Sequence, residues 1–247
     1  MVTALKRQLA IDLNCKEEDF DRNVNTVTIL HEHGPKRRTI SDDLLLYMAC
    51  FGKGTVAAVN AKLEPFVRRH VAELQGFRCF DMPLETLAAG LHAFGGYISE
   101  IEEFYLLDNP VIYNIQPDFH MEILEGAEIA SLYNDDRFHM ALGYSQTDER
   151  RDMLAVVAYR DRDILGVAGA SNDTDDIWQI GIDVVPGGRE RHIATDLVKS
   201  ISNEVLGRNK IPYYGTAWSN IASKRVAINA GYKPVWVEMK AKRRGTQ

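Results

Sequence analysis

A short basic turn is the stretch of this sequence best suited to chemistry. Residues 186–188 read Pro-Gly-Gly, and Arg189, Arg191 and His192 follow closely. Free backbone amides at a helix start, the positive end of the helix dipole and two guanidinium groups together favour a phosphate or pyrophosphate. The turn therefore predicts an anion site at the point where a helix begins.

The flanking residues are expected to supply a strand before the turn and a helix after it. From residue 177 to 184, apolar and polar side chains alternate, which is the period of a strand with one apolar face. After the turn, apolar residues recur at helical spacing, namely Ile193, Ala194, Leu197, Val198, Ile201 and Val205. We expect a helix that begins near Arg189 or Arg191 and ends at Gly207, since glycine commonly follows a helix.

The composition excludes several classes of protein. The 247 residues are 45% hydrophobic and 26% charged, and the formal net charge of -6 argues against general nucleic-acid binding. Cys15, Cys50 and Cys79 have no metal-ligand spacing, which favours a reducing compartment and no metal site. No signal-peptide pattern is present, and no stretch approaches the roughly twenty apolar residues of a membrane span. We expect a cytoplasmic protein with neither nucleic acid nor membrane as partner.

Two domains are predicted, because Asn109-Pro110 breaks the pattern. The first, residues 1–115, is expected to be a smaller mixed α/β domain. Its strands and helices are predicted at residues 5–13, 24–31, 44–51, 55–59, 61–74 and 84–94, with a mixed pattern over 98–107. Gly52-Lys-Gly-Thr55 suggests a phosphate loop, but the full pattern is missing and a strand is predicted to follow, which favours a hairpin turn.

The second domain, residues 116–247, has a definite order of predicted elements. It reads strand, helical region, three strands, helix, strand, helix, strand. Apart from the helix after the basic turn, these fall at residues 119–124, 127–142, 153–159, 164–170, 177–185, 213–218, 220–230 and 235–240. The fold class is therefore α/β with a mixed sheet.

Two motifs in this order resemble a known family. Residues 184–194 read Val-Val-Pro-Gly-Gly-Arg-Glu-Arg-His-Ile-Ala, and Asn220-Ile-Ala-Ser223 is followed by Gly231-Tyr232. The turn is similar to the pattern Val-x-Pro-x-x-Arg-Gly-x-Gly-x-Gly/Ala of the GNAT superfamily of acyl-CoA N-acyltransferases, and the second motif to its Asn-x-x-Ala/Ser and Gly-Phe. The resemblance covers residues 116–240, and the first domain could be a degenerate half of the same fold.

The resemblance implies an acetyl-CoA site between splayed central strands. Backbone groups of Ile182 and Val184 would pair with the pantetheine amides, while Asn220 and Ser223 would contact the cofactor from the last helix. The pyrophosphate would lie on the backbone amides of Arg189, Glu190, Arg191, His192, Ile193 and Ala194. Because the residues alone also predict a phosphate there, the two arguments agree.

The resemblance also implies a reaction. A primary amine of a small molecule would attack the thioester of acetyl-CoA directly in a ternary complex, with the backbone amide of Ile182 polarising the carbonyl. No metal is expected, and a homodimer is possible. The first domain would cover the acceptor cleft or supply a dimer contact.

Three residues depart from the family pattern. His192 stands where glycine is common, so weaker or altered cofactor binding is expected. Glu190 also replaces a common glycine, but this should be tolerable because its side chain can face solvent. Ala227 stands where many members have a tyrosine that protonates the departing thiolate. Tyr232 is then a candidate general acid, and Tyr213, Tyr214 and water are the alternatives.

The sequence does not single out one residue as the general base. Trp178, Ile180 and Ile182 would form a wall of the acceptor pocket or part of the core, and Asp183 fits a structural carboxylate better than a base. An amine in a dry pocket could lose its proton to water without a dedicated base. Two alternatives to a small-molecule acetyltransferase remain: an acyl-CoA-binding regulator with reduced catalysis, and a protein-directed acetyltransferase whose first domain is a binding module.

Overall fold

The computed structural model of the protein describes residues 1–31, 34–72, 74, 76–80, 84–112, 119–144, 148–187 and 193–244. Five α-helices and ten β-strands lie within these ranges. The helices are α1 (Val2–Asp12), α2 (Glu64–Ala72), α3 (Leu84–Ala93), α4 (Ile193–Gly207) and α5 (Ile221–Asn229). The strands are β1 (Thr26–Ile29), β2 (Leu44–Cys50), β3 (Thr55–Val59), β4 (Gly96–Leu106), β5 (His120–Glu125), β6 (Asp152–Arg160), β7 (Asp163–Asn172), β8 (Ile177–Val184), β9 (Ile211–Ala217) and β10 (Lys233–Arg243).

The chain folds as two compact units that are not simply its two halves. Unit 1 comprises Met1–Phe104, Ala217–Ser219 and Pro234–Gln247, and unit 2 comprises Tyr105–Thr216 and Asn220–Lys233. Unit 1 therefore includes nearly all of the last strand. The predicted domain boundary at residues 115 and 116 falls in the segment 113–118, outside the described residues, and stays a prediction.

Unit 1 holds strands in the order β1-β3-β2-β10-β4. β1 is parallel to β3, whereas β2 is antiparallel to both β3 and β10. β2 and β3 are buried along their whole length, which explains why each reads as a continuous apolar run rather than an alternating one. Val67 of α2 and Leu91 of α3 belong to the core that covers these strands.

A buried ionic network fastens the first helix of unit 1 to two of its strands. Arg37 is 2% exposed; its Nε donates to Asp12 Oδ2 at 2.6 Å, and its Nη2 donates to Glu238 Oε1 at 2.9 Å and to the hydroxyl of Tyr47. A buried ion pair contributes little net stability, although losing one partner is destabilising. The network therefore constrains how these elements pack and is structural.

Unit 2 holds strands in the order β9-β8-β7-β6-β5. The pairs from β5 to β8 are antiparallel, and β8 pairs with β9 in parallel. α4 packs on one face through Leu197 and Ile201, and α5 contributes Ala227 to the same core. The opposite face carries a second core around Phe138 and Leu142.

The segment predicted as helical over residues 127–142 forms two 3₁₀ helices, Gly126–Leu132 and Asp136–Phe138. It lies close against the sheet, because a Cβ at Gly169 would stand 2.0 Å from the carbonyl oxygen of Ala141. The expected helical region is therefore present as two short 3₁₀ segments rather than as one regular helix.

Candidate functional site

The central feature of unit 2 is a strand with an incomplete neighbour. β7 pairs with β8 from Trp178 to Val184. β9 pairs with β8 as far as Ile180 and Tyr214, and among the described residues it pairs with neither Ile182 nor Val184. β8 and β9 therefore part after Ile180, which is the splayed arrangement that the family resemblance implied.

One hydrogen bond fixes the direction in which the backbone of β8 points beyond this position. The N–H of Val185 donates to the carbonyl of Leu165 at 3.0 Å, on the β7 side. Because backbone groups alternate along a strand and the β7–β8 register has no shift, even-numbered residues of β8 direct theirs away from β7. Ile182 and Val184 therefore present N–H and C=O groups on the side from which β9 has parted.

The side chains on the even-numbered face of β8 belong to the core. Trp178 and Ile180 are 6% and 2% exposed and pack in one cluster with α4, and Ile182 and Val184 pack against that cluster. The sequence left a pocket wall and the core as alternatives for this face. The structure places the face in the core.

The odd-numbered face of β8 contacts the segment around Met140 and Ala141, which covers the face of the sheet opposite α4. Asp183 Oδ2 accepts hydrogen bonds from the backbone N–H groups of Met140 and Ala141, at 2.7 and 2.9 Å. A Cβ at Gly181 would lie 2.5 Å from the carbonyl oxygen of Met140. Asp183 is therefore a structural carboxylate, as expected, and this residue anchors the segment that covers the sheet.

The start of α5 lies beside the last paired residue of β9. Asn220 caps the helix, since its side chain accepts from the N–H of Ser223 at 3.1 Å. The hydroxyl oxygens of Ser223 and Tyr214 are 2.8 Å apart. The structure thus brings two predicted cofactor contacts, Asn220 and Ser223, to the position where β8 and β9 part.

The predicted general acid Tyr232 lies in the core of unit 2. It is 2% exposed, and its hydroxyl lies 2.7 Å from Ser202 Oγ, which also donates to the carbonyl of Val198. Burial raises the pKa of Tyr232 well above its usual value. Ala227 is fully buried and offers a methyl group, so this position supplies no acid.

A buried polar cluster that the sequence did not reveal lies beside the first half of β8. Arg150 Nε donates to Asp173 Oδ1 at 2.5 Å and Nη2 donates to Gln179, while the hydroxyl of Tyr213 donates to the same aspartate. The guanidinium carbon lies 4.0 Å from the ring centre of Tyr144. The pattern around Asp173 predicts a solvated hairpin turn, yet Asp173 is fully buried. Nothing local in the sequence distinguishes it from the exposed aspartates nearby.

The turn predicted to bind the pyrophosphate lies outside the described residues from residue 188 to residue 192. Arg189, Glu190, Arg191 and His192 lie outside the described residues, so their predicted contacts stay predictions. The last two predicted amides begin α4, where Ile193 is fully buried and Ala194 is half-buried. The helix ends at Gly207, as expected from the sequence.

Unit 1 contains a cavity of about 890 Å³ whose lining includes Lys53, Arg68 and Arg78. Arg68 pairs with Glu64 at 2.6 Å, and Lys53 lies 3.9 Å from Asp21, so nearby carboxylates offset much of this charge. All three cations are exposed. A phosphate loop is followed by a helix, whereas Lys53 is followed by the strand β3, as expected for a hairpin turn.

Two absences hold within the described ranges. They contain no group of three or more His, Cys, Asp or Glu side chains arranged to hold a metal ion. No helix within them combines the length and apolar character needed to cross a bilayer.

Comparison with models of protein families finds no match for the sequence, and comparison with curated proteins finds none either. Solved structures do match. A GCN5-related N-acetyltransferase from Kribbella flavida is 13% identical over 100% of this chain and 96% of its own, with a TM-score of 0.52. A GCN5-related N-acetyltransferase-like protein from Streptococcus suis is 13% identical over 65% of this chain and 67% of its own, with a TM-score of 0.47. An acetyltransferase from the GNAT family of Colwellia psychrerythraea is 11% identical over 60% of this chain and 57% of its own, with a TM-score of 0.45.

At such identities the similarity concerns the fold. The protein has the mixed α/β fold of the GNAT superfamily of N-acetyltransferases, and the predicted resemblance is confirmed at that level. That the first part of the chain is a degenerate half of the same fold stays a prediction.

Proposed function

We propose that the protein is an acetyl-CoA-dependent N-acetyltransferase that transfers an acetyl group to a primary amine of a small molecule. The observation that carries this proposal is the parting of β8 from β9 after Ile180. It leaves the backbone groups of Ile182 and Val184 directed toward a gap beside a helix N-terminus capped by Asn220.

The chemistry of this gap suits an acyl-CoA. Alternating N–H and C=O groups on a strand edge bind an extended ligand with amides as a further strand would. The pantetheine arm carries two such amides, and Ile182 and Val184 offer groups two residues apart on the same edge. The basic residues Arg189 and Arg191 would then meet the pyrophosphate near the start of α4.

Positioning would supply most of the rate enhancement. Acetyl-CoA, when bound, supplies an acyl group already activated as a thioester. The N–H of Ile182 would donate to the carbonyl oxygen as negative charge develops on it. The carboxylate of Asp183 already accepts two backbone N–H groups, so the amine is expected to lose its proton to water rather than to this residue.

Ala227 favours one alternative, an acyl-CoA-binding regulator, because it removes the usual proton donor. The test uses the full-length protein, acetyl-CoA and a panel of small primary amines, with CoA release followed by a thiol reagent and binding measured by calorimetry. Amine-dependent CoA release above the amine-free rate would support the enzyme. Tight acetyl-CoA binding without release for any amine would overturn it and favour the regulator.

A protein-directed enzyme would be detected by the same assay with an unfolded lysine-rich protein as acceptor. Removing residues 1–115 would not be a clean test, because β10 belongs to unit 1 and would lose its antiparallel neighbour β2. The full chain is therefore the appropriate material.

A further inference from the structure

Position 227 supplies no proton donor for the departing thiolate, and the three tyrosines that the sequence offered instead, Tyr213, Tyr214 and Tyr232, lie on β9 or shortly after α5. Their hydroxyl partners differ. The hydroxyl of Tyr213 donates a hydrogen bond to Asp173, and the hydroxyl of Tyr232 is hydrogen-bonded to that of Ser202. Asp173 and Ser202 are both fully buried. These two hydroxyls are each held by a partner that has no exposure to solvent.

Tyr214 differs in both its position and its partner. It is the last residue of β9 that pairs with β8, so its backbone marks the start of the gap. Its ring is buried, with 2% of the residue exposed, but its hydroxyl lies 2.8 Å from Ser223 Oγ. Ser223 is half-buried and lies in the first turn of α5, held by the Asn220 cap.

We infer that Tyr214, acting through the hydroxyl of Ser223, is the proton donor to the departing thiolate, in place of the side chain missing at position 227. This inference rests on the proposed acetyltransferase function. On this inference the proton passes from the buried residue Tyr214 to the half-buried residue Ser223, and from Ser223 to the thiolate in the gap.

The proton balance closes with these two hydroxyls. As the carbon–nitrogen bond forms and the carbon–sulfur bond breaks, Ser223 gives its hydroxyl proton to the sulfur. Tyr214 replaces that proton on Ser223 Oγ, and then recovers a proton, through water, from the acetylated amine. One proton thus passes from nitrogen to sulfur, and both side chains end as they began.

The surroundings of Tyr214 keep it in the acid form. Burial raises the pKa of its phenol, an effect opposed in part by the hydrogen bond with Ser223 and increased by the negative charge of Asp183. A phenol that stays protonated at neutral pH keeps its proton available for transfer while the carbon–sulfur bond breaks. The edge-to-face contact with Tyr232, at a centroid distance of 5.9 Å, restricts the ring.

The experiment compares Tyr214→Phe with wild type in the amine-dependent CoA-release assay. We expect kcat to fall about a hundredfold, in the range typical of a lost general acid, with the KM for acetyl-CoA unchanged. Ser223→Ala should lower kcat in the same direction, and Ser223→Thr, which keeps a hydroxyl, should restore it. Tyr159→Phe is the matched control, since it removes a phenol hydroxyl from β6 of the same unit and should leave kcat unchanged.

Three outcomes overturn the inference. Wild-type turnover with an unslowed Tyr214→Phe would exclude Tyr214 while leaving the acetyltransferase intact. A loss of kcat in Tyr232→Phe but not in Tyr214→Phe would assign the role to Tyr232. Absence of turnover in the wild-type protein would overturn the proposed function itself, and calorimetry and thermal unfolding on each variant show that the comparison is made on folded protein.

Discussion

The two halves of β8 differ in what lies beside them. From Trp178 to Ile180 the strand has paired neighbours on both sides, and Gln179 accepts a hydrogen bond from the buried Arg150. Over residues 181–184, β7 is the one paired neighbour within the described chain, and the residues are half-buried. The first half is scaffold, and the second half carries a strand edge directed toward a gap.

This difference shows how a single strand combines rigidity and binding. The fully paired half fixes the backbone direction, and the same register continues to Val184 because β7 pairs throughout. The groups that would bind the ligand are thereby held in place before it arrives, which reduces the entropy lost on binding. Changes in the first half should alter stability, whereas changes in the second should alter activity.

The largest effect on stability is expected from Asp173→Ala. The substitution leaves Arg150 buried without its carboxylate and Tyr213 without its acceptor. We expect the free energy of unfolding to fall by about 3–5 kcal/mol, as for other broken buried ion pairs. Chemical denaturation measures it. Asp176→Ala in the same turn is the control: its side chain is 76% exposed, and loss of its surface ion pair with Lys210 should change stability by less than about 1 kcal/mol. Equal losses in the two variants would contradict the structural role of the cluster.

The largest effect on activity is expected from Ile182→Pro. Proline removes an N–H that points away from β7, so the β7–β8 hydrogen bonds remain while the proposed oxyanion donor is lost. We expect kcat to fall by about 10²- to 10³-fold. Ile182→Ala loses a comparable apolar side chain but keeps the amide, and should retain most of the activity. If both variants lose activity equally, the amide is not the group that matters.

A smaller effect, on affinity, is expected from Arg189→Glu, a prediction that rests on the sequence alone. Placing a like charge beside the pyrophosphate should weaken acetyl-CoA binding by about 10- to 100-fold, the equivalent of a lost charged hydrogen bond. Calorimetry measures the change. Arg162→Glu makes the same charge reversal in the turn between β6 and β7 and serves as the control. Unchanged affinity in Arg189→Glu would mean that the phosphates bind elsewhere.

The smallest effect concerns the pH dependence of stability next to the polar cluster. Burial raises the pKa of the Asp152 carboxyl, although hydrogen bonds from Ser171 and from the N–H of Tyr144 lower it in part. Because the folded-state pKa exceeds the unfolded one, the folded protein retains a proton that the unfolded chain has lost. The contribution of Asp152 to stability therefore decreases as the pH rises from the unfolded pKa through the folded one.

Asp152→Asn removes this titration. We expect its stability relative to wild type to improve as the pH rises from below the unfolded pKa of an aspartate to neutral pH, measured by urea unfolding at each pH. Asp161→Asn makes the same substitution at an exposed position and is the control. A relative stability of Asp152→Asn that declines as the pH rises would contradict the assigned direction.

The sequence by itself determined most of the elements in unit 2, and it supplied the ligand-binding residues that stay predictions. Alternation along residues 177–184 predicted β8, helical spacing predicted α4 and its end at Gly207, and Asn220 was placed at the start of α5. These features depend on local backbone preference and on the period of apolar residues, both of which are written in consecutive residues.

The family resemblance implied splayed strands near Ile182 and Val184, but only the tertiary structure decided which strand stands beside which and that the pairing ends at Ile180. Residues 178–180 and 182–184 show the same alternation, so no local pattern reveals that β9 pairs with one and not with the other. The burial of Asp173 and the different hydroxyl partners of Tyr214 and Tyr232 were hidden for the same reason. Each depends on a residue distant in sequence, and such partners are fixed by packing rather than by the residues next to them in the chain.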